Sequence, residues 1–120
     1  MSLGDVRDLL DAQEVFCPDP GARFAGVVAA DLMSDVLVDS QPGALLLTGL
    51  ANVQTVRTAA IADLAGIVFV RGKAVPDDVL ALARDKGIPL LLTGRSLFEA
   101  AGTLFAARAG APADEASAHG

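Results

Sequence analysis

The chain has 120 residues, 52% of them apolar, with a net charge of −6, one cysteine and one histidine. That length holds one domain with a real core, and the lone Cys17 excludes an intramolecular disulfide. Basic residues scattered singly through an acidic chain argue against nucleic acid and anionic membrane surfaces. His119 lies near the C-terminus, so the body of the chain has neither a histidine base nor a Cys/His metal site.

Leu3, Val6, Leu9 and Leu10 recur at helical spacing within Leu3–Ala12, with Ser2 as N-cap. Glu14–Cys17 reads as a short strand and Pro18–Gly21 as a turn. Ala25–Ala30 reads as a strand leading into a short helix over Asp31–Leu37, with Met33, Val36 and Leu37 facing inward. Cys17 is expected to be a small, half-buried filler.

The pentapeptide Leu-Leu-Leu-Thr-Gly occurs twice, at Leu45–Gly49 and Leu90–Gly94, and Gly66–Val70 is a third apolar run between them. Each run reads as a buried strand followed by a helix. Asn52 caps the helix after the first, with an expected apolar stripe of Val53, Val56, Ala60 and Leu64. Pro76-Asp77-Asp78 opens the next helix, whose stripe is Val79, Leu82 and Ala83, and Gly87 before Pro89 ends it. Ser96 and Glu99 form a capping box for a last helix bearing Leu97, Ala101, Leu104 and Phe105. Phe98 and Phe105 read as core or interface. The pattern predicts an α/β fold with a mainly parallel sheet covered by helices.

Ala109–Gly120 has no periodicity and reads as a disordered tail, leaving a single domain over residues 1–108. So apolar a small domain is expected to bury surface against a second copy, as a homodimer. The longest uncharged run, Ser40–Val56, is too short and too polar to span a bilayer, and Met1–Leu10 lacks the features of a secretion signal. A cytoplasmic location is therefore expected.

Parallel sheets bind ligands at the C-terminal ends of their strands. Those ends supply Thr48-Gly49, Arg71-Gly72-Lys73 and Thr93-Gly94-Arg95-Ser96, which hold three of the nine basic residues. Helix N-termini at Asn52 and Ser96 add positive dipole ends, and Asp31, Ser34 and Asp35 are expected at the same edge. Ordinary turn chemistry and an Arg71 pair with Asp31 or Asp35 would explain the same residues without a ligand. Gly66 to Gly72-Lys73-Ala74 is not a phosphate loop: five residues separate the glycines and Ala74 replaces the Ser or Thr.

Several segments together resemble small stand-alone DRTGG-domain proteins. They are Asp31-Leu32-Met33-Ser34-Asp35-Val36-Leu37, then Leu47-Thr48-Gly49-Leu50-x-Asn52-x-Gln54-x-x-Arg57-Thr58-Ala59, then Phe69-Val70-Arg71-Gly72-Lys73. Thr93, Ser96, Phe98, Glu99, Gly102 and Leu104 fit the closing segment. The family is similar in fold to the N-terminal domain of HPr kinase/phosphorylase, which implies three α/β/α layers. DRTGG domains also occur fused to CBS pairs and phosphotransacetylases, where they resemble regulatory modules without catalysis. The chain departs from the family pattern at Leu50-Ala51, where Asp-Arg is expected, and keeps only Gly72 of the Thr-Gly-Gly.

The expected function is a non-catalytic regulatory module that needs no cofactor and binds a small anionic ligand, nucleotides included. Arg71, Lys73 and Arg95 would meet its charge, while Gly49, Gly72, Thr93 and Ser96 would supply close hydrogen bonds. The alternative is a homodimerising interaction module that docks a protein partner. An enzyme would have to use Asp31 or Asp35 as base or metal ligand.

Overall fold

Side chains alternate across a strand, so an apolar run buries both faces only when each face is covered. This requirement organises the computed structural model, which describes residues 1–72 and 74–109. The strands are β1 (Gln13–Phe16), β2 (Gly26–Ala29), β3 (Ala44–Thr48), β4 (Gly66–Phe69) and β5 (Leu90–Leu92). They form one sheet in the order β1-β5-β4-β3-β2, parallel except for β1, which joins β5 antiparallel. The helices are α1 (Leu3–Leu10), α2 (Met33–Asp39), α3 (Val53–Ile61), α4 (Asp77–Lys86) and α5 (Leu97–Ala109).

On one face Leu46, Ile67, Phe69, Leu90 and Leu92 meet Val36 of α2, Val56 and Ala59 of α3, and Val79 and Ala83 of α4. On the other, Leu45, Leu47, Val68 and Leu91 meet Leu3, Val6 and Leu10 of α1 and Ala100 and Leu104 of α5. The three α/β/α layers expected from the sequence are therefore present. All of β3, β4 and β5 is buried.

Capping follows the local sequence. Ser2 and Asp5 form a reciprocal box at α1, Asn52 accepts from the Thr55 amide at α3, and Gly87 closes α4 in the left-handed conformation. At α5 the Ser96 hydroxyl donates to Glu99 Oε1 (3.0 Å) and accepts from the Glu99 amide (3.1 Å).

The helix faces are turned from some expected stripes. α3 buries Thr55, Val56, Thr58 and Ala59, leaving Val53 and Ala60 half-buried, while Leu64 is buried beyond the end of the helix. Thr55 tolerates burial because its hydroxyl donates to the Leu50 carbonyl at 2.6 Å. On α4, Leu82 is only half-buried beside buried Val79 and Ala83. α2 starts at Met33 rather than Asp31 and buries only Val36; Leu37 faces outward. In α5, Ala100 and Leu104 are buried, Leu97 and Ala101 half-buried, and Phe98 and Phe105 are 78% and 77% exposed. Phe98 and Phe105 thus lie outside the monomer core. The tail expected over 109–120 falls outside the described residues, apart from Ala109 at the end of α5.

The two sheet edges differ. β1 carries Glu14, which pairs with Arg7, and a register shift between Glu14 and Phe16. Both features blunt an edge against further pairing. The other edge strand, β2, is Gly-Val-Val-Ala without charge.

Glu99 has its carboxyl pKa lowered from 4.5, chiefly by the Ser96 hydroxyl and then by the Ser96 amide. A lowered folded pKa contributes stability above the unfolded value that is lost as pH falls through the folded one. Glu99→Gln keeps an acceptor but cannot titrate. Melting curves of parent and variant should separate at neutral pH and converge as the pH drops below about 4.5.

Candidate functional site

With both faces of the sheet consumed by packing, exposed polar groups of the strands are left at the rim, where each strand ends in a turn. β2 continues into Ala30-Asp31, β3 ends at Thr48-Gly49, β4 runs into Val70-Arg71-Gly72, and β5 into Thr93-Gly94-Arg95-Ser96. Parallel pairing brings these C-terminal ends to one edge.

Four of the expected site residues converge there. Asp31 Oδ1 accepts from the Gly49 amide at 2.8 Å and from the Thr48 hydroxyl at 3.1 Å. The Arg71 guanidinium stands 3.9 Å from Asp31 Oδ2, and the two side chains remain 62% and 44% exposed. A Cβ on Gly49 would point between them, 3.6 Å from Asp31 Oδ1 and 3.7 Å from the guanidinium. Arg71 and Asp31 do pair, across a gap too long for a direct hydrogen bond.

Other residues of the set have their polar groups engaged within the fold. The Thr93 side chain is buried, and its hydroxyl donates to the Leu10 carbonyl at the end of α1 (2.8 Å) while accepting from the Arg95 amide (3.3 Å). Thr48 Oγ1 also accepts from the Leu50 amide at 3.2 Å. Asn52 and Ser96 serve their helix caps. The Gly72 amide donates to the Thr93 carbonyl at 3.2 Å, and a Cβ there would lie 2.2 Å from Leu92 Cδ1, so a larger residue would displace the tip of that side chain. Ser34 and Asp35 stand exposed on the first turn of α2, outside the Asp31–Thr48–Gly49–Arg71 contact. Arg95 is half-buried, and its carbonyl accepts from the Arg71 amide at 2.8 Å. Lys73 lies outside the described residues.

Arg71 is also the conformational outlier of the rim. Its φ is +51°, in the left-handed region; the other described non-glycine residues there are Asp11 and Asp63, both at helix ends. Asp tolerates this region and Arg does so at a cost of about 1 kcal/mol. The turn serves a topological need. β4 leads to α4 on one face of the sheet, whereas β5 leads to α5 on the other. The chain therefore diverges between these strand ends, as at the switch point of a doubly wound sheet. Backbone bonds from Arg71 and Gly72 to Arg95 and Thr93 span that opening and turn the Arg71 side chain toward Asp31.

Thr55 was not among the expected site residues, yet its hydroxyl pins the Leu50 carbonyl and so fixes the loop after Gly49. Its place three residues after Asn52 was the available signal. Cys17 is half-buried and burial pushes its thiol pKa up, which disfavours a reactive thiolate.

No family model and no curated protein matches the chain. Among solved structures it is similar to the regulatory region of a Clostridium perfringens pyrophosphatase, comprising CBS and DRTGG domains complexed with the activator diadenosine tetraphosphate. The TM-score is 0.70 at 17% identity, over 86% of this chain and 45% of the other. The chain thus spans less than half the length of that neighbour, and the likeness is one of fold. It agrees with the DRTGG resemblance in the sequence.

If Arg71 were retained for stability alone, glycine would be a poor substitute. Arg71→Gly should instead leave the melting temperature unchanged or raise it, the gain being about 1 kcal/mol or less, because glycine relieves the left-handed backbone and an exposed pair contributes little. A drop of several degrees would assign Arg71 to structure.

Proposed function

We propose that this protein is a non-catalytic, cytoplasmic regulatory module that binds a small anionic ligand, of the nucleotide or phosphate-ester class, at the C-terminal edge of its sheet. The observation that carries the reading is Arg71: a strained residue whose guanidinium is solvent-exposed beside Gly49 and Asp31. Backbone strain held at an exposed cation is a common mark of a binding position. Arg71 and Arg95 supply charge, and Gly49 offers close backbone approach. Lys73, two residues beyond Arg71 in the sequence, is the third basic residue of the expected set. Thr93, Gly72, Asn52 and Ser96 serve as the frame that fixes these groups, and Ser34 and Asp35 border it. The fold-level likeness to a regulatory region that binds a nucleotide activator supports the same class.

A second reading, a homodimerising interaction module, is favoured by α5. Phe98 and Phe105, seven residues apart, lie exposed on a helix that already buries Ala100 and Leu104. Helices apolar on more than one side are commonly covered on more than one side.

A thermal-shift series with pyrophosphate, nucleotides and dinucleotides separates the two. A ligand at ten times its dissociation constant adds about 1.4 kcal/mol, or roughly 5 °C for a domain this size. The shift should vanish in Arg71→Ala. No shift with any anion, together with a dimer mass that Phe105→Glu reduces to a monomer, would favour the interaction module.

A further inference from the structure

We propose that the Thr48 hydroxyl, the Gly49 amide and the Arg71 guanidinium form an oxyanion subsite that Asp31 fills in the free protein, and that a phosphoryl group takes its place. This rests on the anion-binding reading above and adds the subsite, the ligand group and the internal competitor.

The carboxylate already sits as a bound anion would. It accepts one backbone N–H and one hydroxyl, and it faces a cation. Yet its fit is incomplete. The distance from Arg71 to Asp31 Oδ2 is 3.9 Å, so the guanidinium donors facing it are not used by a direct bond. Asp31 is tethered at the start of the loop before α2 and cannot advance without moving the end of β2, whose Ala30 amide is bonded to the Leu47 carbonyl. A tetrahedral phosphoryl group is larger, carries more charge and offers three acceptor oxygens. It can take the Gly49 amide and the Thr48 hydroxyl on one side and the guanidinium fork on the other. The half-exposed position of both side chains leaves the way open to solvent.

Two anions cannot share these donors, because like charges at contact repel strongly. Ligand entry therefore expels the Asp31 carboxylate. The residue that follows is Leu32, the exposed N-cap of α2, which makes no side-chain cap bond holding that helix end. Exchange at the subsite would thus be felt at the start of α2 and along the β2 edge.

Calorimetric titration with inorganic pyrophosphate at fixed ionic strength tests this. Asp31→Asn keeps an acceptor for Gly49 and Thr48 but removes the charge, so it should bind at least about tenfold more tightly than the wild type. Binding in the variant alone also supports the subsite. Equal or weaker binding in a folded Asp31→Asn overturns the competition and leaves the anion-binding reading intact, whereas no binding in either protein overturns both. In the wild type itself, saturation with pyrophosphate should move the Asp31 carboxylate carbon resonance. An unmoved resonance in a protein that binds overturns the proposal even if the variant fails to fold.

Discussion

Everything in this protein depends on burying a short parallel sheet on both faces. Every side chain of β3, β4 and β5 is buried, in strands of three to five residues. Such strands are stable only between two helix layers, and the chain supplies α2, α3 and α4 on one side and α1 and α5 on the other. Removing apolar area from water contributes about 25 cal/mol per Å², so a fully buried leucine stabilises by about 2 kcal/mol. The consequence for function is geometric. Because their faces are packed, the three central strands can display chemistry only at their ends.

At those ends the same polar groups must terminate strands, cap helices and, on the reading proposed here, meet a ligand. Backbone and hydroxyl groups near packed strands must find partners, and most of them do so internally. Thr93 ties β5 to the end of α1, Thr55 ties α3 to the loop after β3, and Ser96 closes α5. What these bonds leave over is charge on long side chains. Arg71 and Asp31 are more than 40% exposed and held apart at 3.9 Å, a looser contact than the other polar contacts described at this rim. On the proposed reading, binding is concentrated in few residues, while the others hold those few in place.

Much of this was legible in the sequence because local and global signals agreed. Strand periodicity, caps at Ser2, Asn52 and Ser96, and the stop at Gly87 all coincide with the observed elements to within one or two residues. The helix stripes were less legible. The stripe of Val53, Val56, Ala60 and Leu64 omits Thr55, which is buried by virtue of a hydroxyl bond to a carbonyl five residues earlier. Hydropathy turns Leu37 inward, but α2 lies at the sheet edge and leaves it exposed; of the two readings open for Phe105, core or interface, its exposure on α5 excludes the monomer core. At the rim, sequence indicated which residues share an edge but not which hydroxyls and amides the fold uses itself. That information is tertiary: the Thr93–Leu10 bond joins residues 83 positions apart.

The most direct test of an anion site at this edge is a residue-resolved NMR titration of the wild-type protein with pyrophosphate. The site proposed here predicts saturable shifts centred on the amides of Asp31, Gly49, Leu50 and Arg71, with α5 unperturbed. Shifts absent from this edge, or confined to the Phe98–Phe105 face, would contradict it.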